Sequence, residues 1–204
     1  MKTIAVSQRV QKIEKYNEFR DQIDNRLILY LSNAGYIPVP IPNFKNKNKY
    51  NKTSIVSWLK KINPSGIVLS GGDDLGVYKY RDLNEMRIIE WSLKKKVPVL
   101  GICRGMQIIN KYFGGTQVKI KNHVSKRHKI VINSKLNRVV NSFHNWGFYS
   151  ENIPNIFKIT SKAKDKTIES FECKKINFYG IMWHPEREKK LKKNDFLLLK
   201  NIFR

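Results

Sequence analysis

Two short segments carry residue types that together can open an amide bond. Gly101-Ile102-Cys103-Arg104-Gly105 follows the apolar run 97–100 and leads into a helix-forming segment from Met106. A cysteine two residues from a glycine on either side, on a strand-to-helix turn, has the form of a nucleophile elbow with sulfur in the serine's place. Such a turn lifts one side chain at the carboxyl end of a sheet, where α/β proteins bind ligands. The flanking glycines let helix and strands approach closely. The helix N-terminus and the adjacent Arg104 favour the thiolate. Gly180-Ile181-Met182-Trp183-His184-Pro185-Glu186 offers the base such a nucleophile needs. His184 stands just past a strand, Pro185 stiffens the turn, and Glu186 can reach back to hold the imidazole tautomer. In Leu69-Ser70-Gly71-Gly72-Asp73-Asp74, Gly71 and Gly72 free a backbone N–H to point into a cleft. With the N–H of Arg104 it forms an expected oxyanion hole. Singly, each segment has a plain reading: a buried small hydrophobe, a satisfied strand-end histidine, an ordinary turn. Together they favour catalysis.

These segments need a scaffold of strands ending on one edge. Residues 3–6 and 66–70 are short apolar runs, and 97–100 is another; each reads as a strand. Residues 20–33, 54–62, 82–96 and 106–113 have helical character, with Gly35 and Gly114-Gly115 as stops. The prolines in 36–42 make that run extended and place it at a sheet edge or strand end. Alternation of this kind implies βαβ units and a mostly parallel sheet. The second half changes style. Residues 129–133, 138–142, 157–161, 167–173 and 178–182 read as short strands, and 194–203 as a closing helix. The expected fold is a three-layer α/β/α sandwich, its central sheet mostly parallel with an antiparallel extension, in one domain over 1–204.

Composition bounds the function. The chain has 204 residues, 41% hydrophobic and 11% aromatic, too rich in core formers for a disordered tail. A domain of that size buries about 70% of its unfolded surface. No stretch approaches the ~20 apolar residues of a membrane span, and the start does not read as a signal peptide. A cytoplasmic protein is expected. Cys103 and Cys173 cannot make a disulfide framework or a four-ligand zinc site on their own; Cys173 reads as core. Lys plus Arg number 40 against 16 acidic residues, a formal charge of +24 that favours anionic partners. The lysines are scattered, however, and the run from Phe44 to Tyr50 reads as a solvated loop. No nucleic-acid-binding motif accompanies it. The expected partner is therefore a small anionic molecule, without nucleic acid or membrane, and a homodimer is left open.

Once these segments are assembled, the chain resembles class I glutamine amidotransferase domains, whose triad runs Cys-His-Glu in this order. The finer likeness is to their stand-alone γ-glutamyl hydrolase branch, which contains γ-glutamyl-γ-aminobutyrate hydrolase. It is carried by Arg81-Asp82 through Glu85, the run from Pro98 to Asn110, Gly114-Gly115, and His123 with His128. Val140-Asn141-Ser142-Phe143-His144, the run from Pro38 to Pro42, and Trp183-His184-Pro185-Glu186 carry it further. The flavodoxin-like fold of that family is implied with it. By that resemblance Cys103 attacks the γ-carbonyl of a γ-glutamyl amide and forms a thioester. His184 passes the proton to the leaving amine, Glu186 orients it, and N–H groups of Gly72 and Arg104 hold the oxyanion. Gly71, Gln107, Ser142, Phe143 and His144 would border the glutamyl group; His144 either assists or lines the pocket. No cofactor or metal is implied. His123 and His128 read as structural or pocket-rim residues and not as metal ligands, since no carboxylate sits at helical spacing with them and the chemistry needs no metal.

The chain departs from the branch where many relatives have His-His-Gln; here stand His144-Asn145-Trp146. Trp146 would stack on a flat leaving group such as a nucleobase. The basic 46–52 region and Lys126-Arg127 would suit phosphate. These features fit a CDP-linked amidate freed from its glutamyl mask, as in capsule phosphoramidate synthesis. The alternatives are a glutaminase subunit passing ammonia to a partner synthase, and a hydrolase of γ-glutamyl polyamines or amino acids.

Overall fold

The computed structural model describes residues 1–45, 54–133, 136–190 and 192–204, and the basic region 46–52 lies outside them. The first half runs β1 (Lys2–Ser7), β2 (Arg9–Ile13), β3 (Glu18–Gln22), α1 (Asn25–Asn33), β4 (Tyr36–Ile41), α2 (Ile55–Ile62), β5 (Gly66–Leu69), α3 (Lys79–Lys95), β6 (Val99–Ile102) and α4 (Arg104–Tyr112). The second half runs β7 (Val118–Lys119), β8 (Val124–Ile132), β9 (Leu136–Phe143), β10 (Trp146–Gly147), β11 (Lys158–Ala163), β12 (Ile168–Cys173), β13 (Phe178–Ile181) and α5 (Lys193–Ile202).

Nine strands form one sheet in the order β4-β1-β5-β6-β13-β12-β11-β8-β9. From β4 to β13 neighbours are parallel; from β13 to β9 they are antiparallel. This is the expected sheet with its antiparallel extension. The proline-rich run becomes β4, at one edge, where a missing N–H costs nothing in the ladder.

The strands alternate their apolar side chains between two cores, as the pleat requires. Ala5, Ile67, Leu69 and Val99 face α2, α3 and α4. Ile4, Val6, Val68, Leu100 and Ile102 face α1 and α5 on the other side. Burial on both faces is why these strands read as continuous apolar runs.

Three departures from the sequence reading have a plain physical cause. The helical character over 20–33 divides into β3, paired with β2 as a hairpin, and α1, capped by Asp24, whose side chain accepts the Arg26 N–H. The hairpin leaves Val10 as its buried apolar residue and turns through Asn17 in the left-handed region, so it carries no period-two signal. Strand β6 starts two residues later than expected, and β8 starts at Val124, where alternating charge hides the strand.

Candidate active site

Strands β5, β6 and β13 are parallel neighbours, so their carboxyl ends share one edge. Their register sets the site. Leu69 pairs with Gly101, and Ile102 pairs with Ile181. Ser70-Gly71-Gly72, Cys103 and His184 therefore leave the sheet side by side.

Cys103 is the N-cap of α4, with φ 52° and ψ −108°. A non-glycine residue held there stores about 1–3 kcal/mol of strain. The surroundings enforce the bend. The Cys103 N–H donates to the Ile181 carbonyl at 2.7 Å, while its own carbonyl accepts from Met106 and Gln107. A Cβ on Gly105 would lie 1.9 Å from the Leu69 carbonyl oxygen, and one on Gly101 would lie 2.4 Å from that of Gly105. Neither glycine tolerates a side chain.

His184 is held from both ends. Its Nδ1 lies 2.6 Å from Glu186 Oε1, across the short 3-10 turn Pro185–Arg187. Its backbone N–H and carbonyl both pair with the Asn141 side chain, each at 2.8 Å. Burial opposes a charge on this ring, but the Glu186 carboxylate and the Cys103 sulfur, hydrogen-bonded to it, outweigh burial and lift its pKa to about 9. A Cβ on Gly71 would lie 2.8 Å from His184 Cε1 and 3.7 Å from Cys103 Cβ, so the β5 turn packs against both. The three segments do meet.

The β5 turn is shaped from behind by buried ions. Arg81 donates to the carbonyls of Ser70 and Gly71, at 3.2 and 2.9 Å. Because a trans peptide sets C=O and N–H in opposite directions, the Gly72 N–H points away from Arg81. Gly72 has φ +135°, and a Cβ there would meet Arg81 Nη1 at 2.6 Å. Arg81 is fixed by Glu85, which also accepts from Ser7 at 2.8 Å. The Arg104 guanidinium pairs with Asp82 and Glu85. Its charge is thus neutralised by buried carboxylates, which corrects the expectation that this side chain acts as a cation for Cys103. Its N–H, first in the helix, has no intrahelical acceptor.

The remaining expected site residues have varied placements. Gln107 is buried on the first turn of α4 and donates to the Trp146 carbonyl at 3.2 Å. The Ser142 hydroxyl donates to the His123 carbonyl at 2.6 Å. Phe143 is exposed, with its ring edge-on to His184 at 5.8 Å. His144 donates to the Trp146 carbonyl through Nδ1 at 3.0 Å; burial, with His123 beside it, pushes its pKa down to about 3. The half-buried Trp146 ring is tied by Nε1 to Asp74 at 3.0 Å. Arg127 pairs with Glu188, which Asn141 also contacts.

The sequence did not single out Asn141 as the clamp on His184. It also gave no carboxylate to His123 and His128, and here the structure differs: Glu169 from β12 lies 3.6 and 3.4 Å from them. Strand pairing, not helical spacing, brings it there.

The sulfur is more covered than an open elbow suggests. Cys103 is 5% exposed. A hollow of about 20 Å³ adjoins His184, lined by Ser70, Gly71, Glu186 and the β2–β3 hairpin residues Arg9 and Gln22. A recess of about 290 Å³ includes Gln107, Gly115 and Gln117. A cavity of about 470 Å³ lies against β13 and α5 and touches neither Cys103 nor His184. Among the described residues no helix is long and apolar enough to cross a membrane.

The sheet, with its cysteine, histidine and glycine turns on three adjacent parallel strands, defines a glutamine-amidotransferase-like α/β domain. The model of the family "Glutamine amidotransferase class-I" matches residues 17–203, and the chain belongs to that family. A γ-glutamyl-CDP-amidate hydrolase from Campylobacter jejuni is 43% identical over 143 residues, covering 67% of this chain and 68% of that protein. A glutamine-hydrolysing GMP synthase from Petrotoga mobilis is 36% identical over 130 residues, 61% of this chain but 25% of that one. Among solved structures, that of a glutamine amidotransferase from Thermotoga maritima aligns with TM-score 0.64 at 17% identity, covering 98% of this chain and 82% of its own.

Proposed function

We propose that the protein hydrolyses a γ-glutamyl amide through a thioester on Cys103. The observation that carries this reading is the placement of the strained Cys103 turn against His184, itself fixed by Glu186 at 2.6 Å. The sulfur, as thiolate, attacks the γ-carbonyl carbon. The oxyanion is received by the N–H groups of Gly72 and Arg104, the first turned away from Arg81 and the second at a helix start. His184, lifted to about 9, is an imidazolium at neutral pH and gives its proton to the leaving nitrogen as the C–N bond breaks. The neutral ring then takes a proton from water, whose oxygen attacks the thioester, and glutamate leaves with Cys103 restored. Gln107 and the Ser142–His144 segment border the glutamyl group in this reading.

For the leaving group we infer an anionic amidate, as the Campylobacter jejuni relative's name specifies CDP-amidate. The +24 formal charge suits it. Trp146, tied to Asp74, is a flat wall for a nucleobase, and a cytoplasmic capsule-phosphoramidate step is the setting this substrate implies.

Incubating the purified chain with glutamine, γ-glutamyl-γ-aminobutyrate and γ-glutamyl-CDP-amidate, and measuring glutamate, tests the reading. Turnover of the nucleotide amidate by the single chain, well above glutamine, is the expected result. Glutamine turnover that awakens with an added synthase would favour the glutaminase-subunit reading, which the GMP synthase likeness keeps in view. No glutamate from any substrate would overturn both.

A further inference from the structure

A second set of donor atoms converges where the antiparallel strands approach the candidate active site. His123 precedes β8, His144 follows β9, and Glu169 lies on β12; they are 3%, 5% and 0% exposed. One donor atom from each lies within 4.8 Å of the other two.

The outer nitrogens fix which way the lone pairs face. His123 Nε2 lies 2.8 Å from Asp165 Oδ2, and His144 Nδ1 lies 3.0 Å from the Trp146 carbonyl oxygen. Both partners are acceptors, so each ring directs an N–H outward, and the depressed pKa of His144 keeps that ring neutral. The inward atoms, His123 Nδ1 and His144 Nε2, face Glu169 Oε1 at 3.6 and 3.8 Å. None of these three atoms has a hydrogen-bond partner among the described residues. Three buried polar atoms that face one point without a partner cost several kcal/mol; burial raises the Glu169 pKa, so a proton is the competing occupant, and a bound cation would satisfy all three atoms at once.

We propose that His123 Nδ1, His144 Nε2 and Glu169 Oε1 bind a first-row divalent cation, zinc foremost. Two ligand atoms each about 2.0–2.2 Å from a tetrahedral zinc stand about 3.3–3.6 Å apart; the two separations to Glu169 Oε1 need only a slight contraction, and the two histidine nitrogens, within 4.8 Å of each other, close on the ion as it binds. Imidazole donors disfavour magnesium and calcium. Asp165 behind His123 and the Trp146 carbonyl behind His144 supply the outer hydrogen bonds that orient metal-binding histidines. The carboxylates of Glu169 and Asp165 offset the two positive charges. His128 Nε2, 3.4 Å from Glu169 Oε2, steadies the other carboxylate oxygen. The cation would pin the ends of β8, β9 and β12 and hold the Trp146 carbonyl that also receives Gln107.

The test uses the full chain carrying Cys103→Ala, which removes the active-site thiol as a competing ligand and leaves Cys173 buried in the core, after chelator treatment. Titration with Co²⁺ should give one equivalent bound with the visible bands of a tetrahedral or five-coordinate site. Zn²⁺ should displace it and raise Tm. Asp165→Asn, at a half-exposed side chain, should weaken the affinity about 10- to 100-fold, and Glu169→Gln should abolish the spectrum. A folded apoprotein that takes up no stoichiometric Co²⁺ overturns the proposal. So does uptake of unchanged affinity in Asp165→Asn, a variant that decides the matter even if Glu169→Gln does not fold.

Discussion

Glu186 Oε1 stands 2.6 Å from His184 Nδ1, two residues back along the chain and across a proline. The proline opens a 3-10 turn, and this turn lets a residue so near in sequence face the ring. The pairing has a thermodynamic consequence. The His184 pKa lies at about 9 in the fold against an ordinary value of 6.5. Between those values the folded protein keeps a proton that the unfolded chain releases, so this stabilisation is complete below the lower value and lost as pH rises through the higher. At 1.36 kcal/mol per unit the loss is at most ~3 kcal/mol. Thermal unfolding followed from about pH 6 to 10 should show it, with a flatter profile in Glu186→Gln. Identical profiles would refute the coupling.

Turnover should follow the same proton. If the imidazolium is the acid that releases the amine, kcat/KM falls with an apparent pKa near 9. Glu186→Gln removes the largest charge that lifts the ring, so the falling limb moves down in pH and the rate drops less than in His184→Ala. Cys103→Ala should abolish turnover while leaving substrate binding measurable by calorimetry. A wild-type rate in His184→Ala would remove this residue from the mechanism.

The strain at Cys103 can be measured separately from its chemistry. Glycine accepts φ 52° with ψ −108° and alanine does not. Cys103→Gly should therefore unfold at higher denaturant than Cys103→Ala, by about 1 kcal/mol once glycine's entropy cost is set against the relief. At Gly105 the order reverses: an added Cβ would meet the Leu69 carbonyl oxygen at 1.9 Å, and Gly105→Ala should lose more than ~3 kcal/mol or fail to fold.

How much of this was legible in the sequence depended on distance along the chain. The elbow and the His184–Glu186 pair are local patterns whose spacing carries its own chemistry, and the apolar runs around them fix the parallel strands. The β2–β3 hairpin is hidden because Val10 is its buried apolar residue and β3 is exposed from Glu18 to Asp21. From the sequence Arg104 reads only as a neighbour of Cys103, because its carboxylates come from α3, about twenty residues upstream. Glu169 joins the histidines only through β-strand pairing across the antiparallel extension, and no short-range period reports that. The coverage of Cys103 was equally invisible, since it depends on how the turns fold over it.

The clamp on His184 yields the sharpest separation between positioning and chemistry. Asn141 reaches from β9 to accept the His184 N–H and donate to its carbonyl, each at 2.8 Å, yet it touches neither Cys103 nor the imidazole ring's proton. Its removal should loosen the ring's placement without changing its charge partners. Because reacting groups displaced by about 1 Å lose on the order of a hundredfold in rate, Asn141→Ala should lower kcat by roughly 10- to 100-fold. KM and the alkaline limb should stay near their wild-type positions, since Glu186 remains beside the ring. Asn141→Asp keeps the acceptor for the N–H but loses the donor to the carbonyl and brings a negative charge toward Glu188, 2.9 Å from the present amide. It should fall between alanine and wild type in rate while costing more stability. A shift of the alkaline limb in Asn141→Ala, with kcat unchanged, would mean the side chain tunes the proton and does not hold the ring.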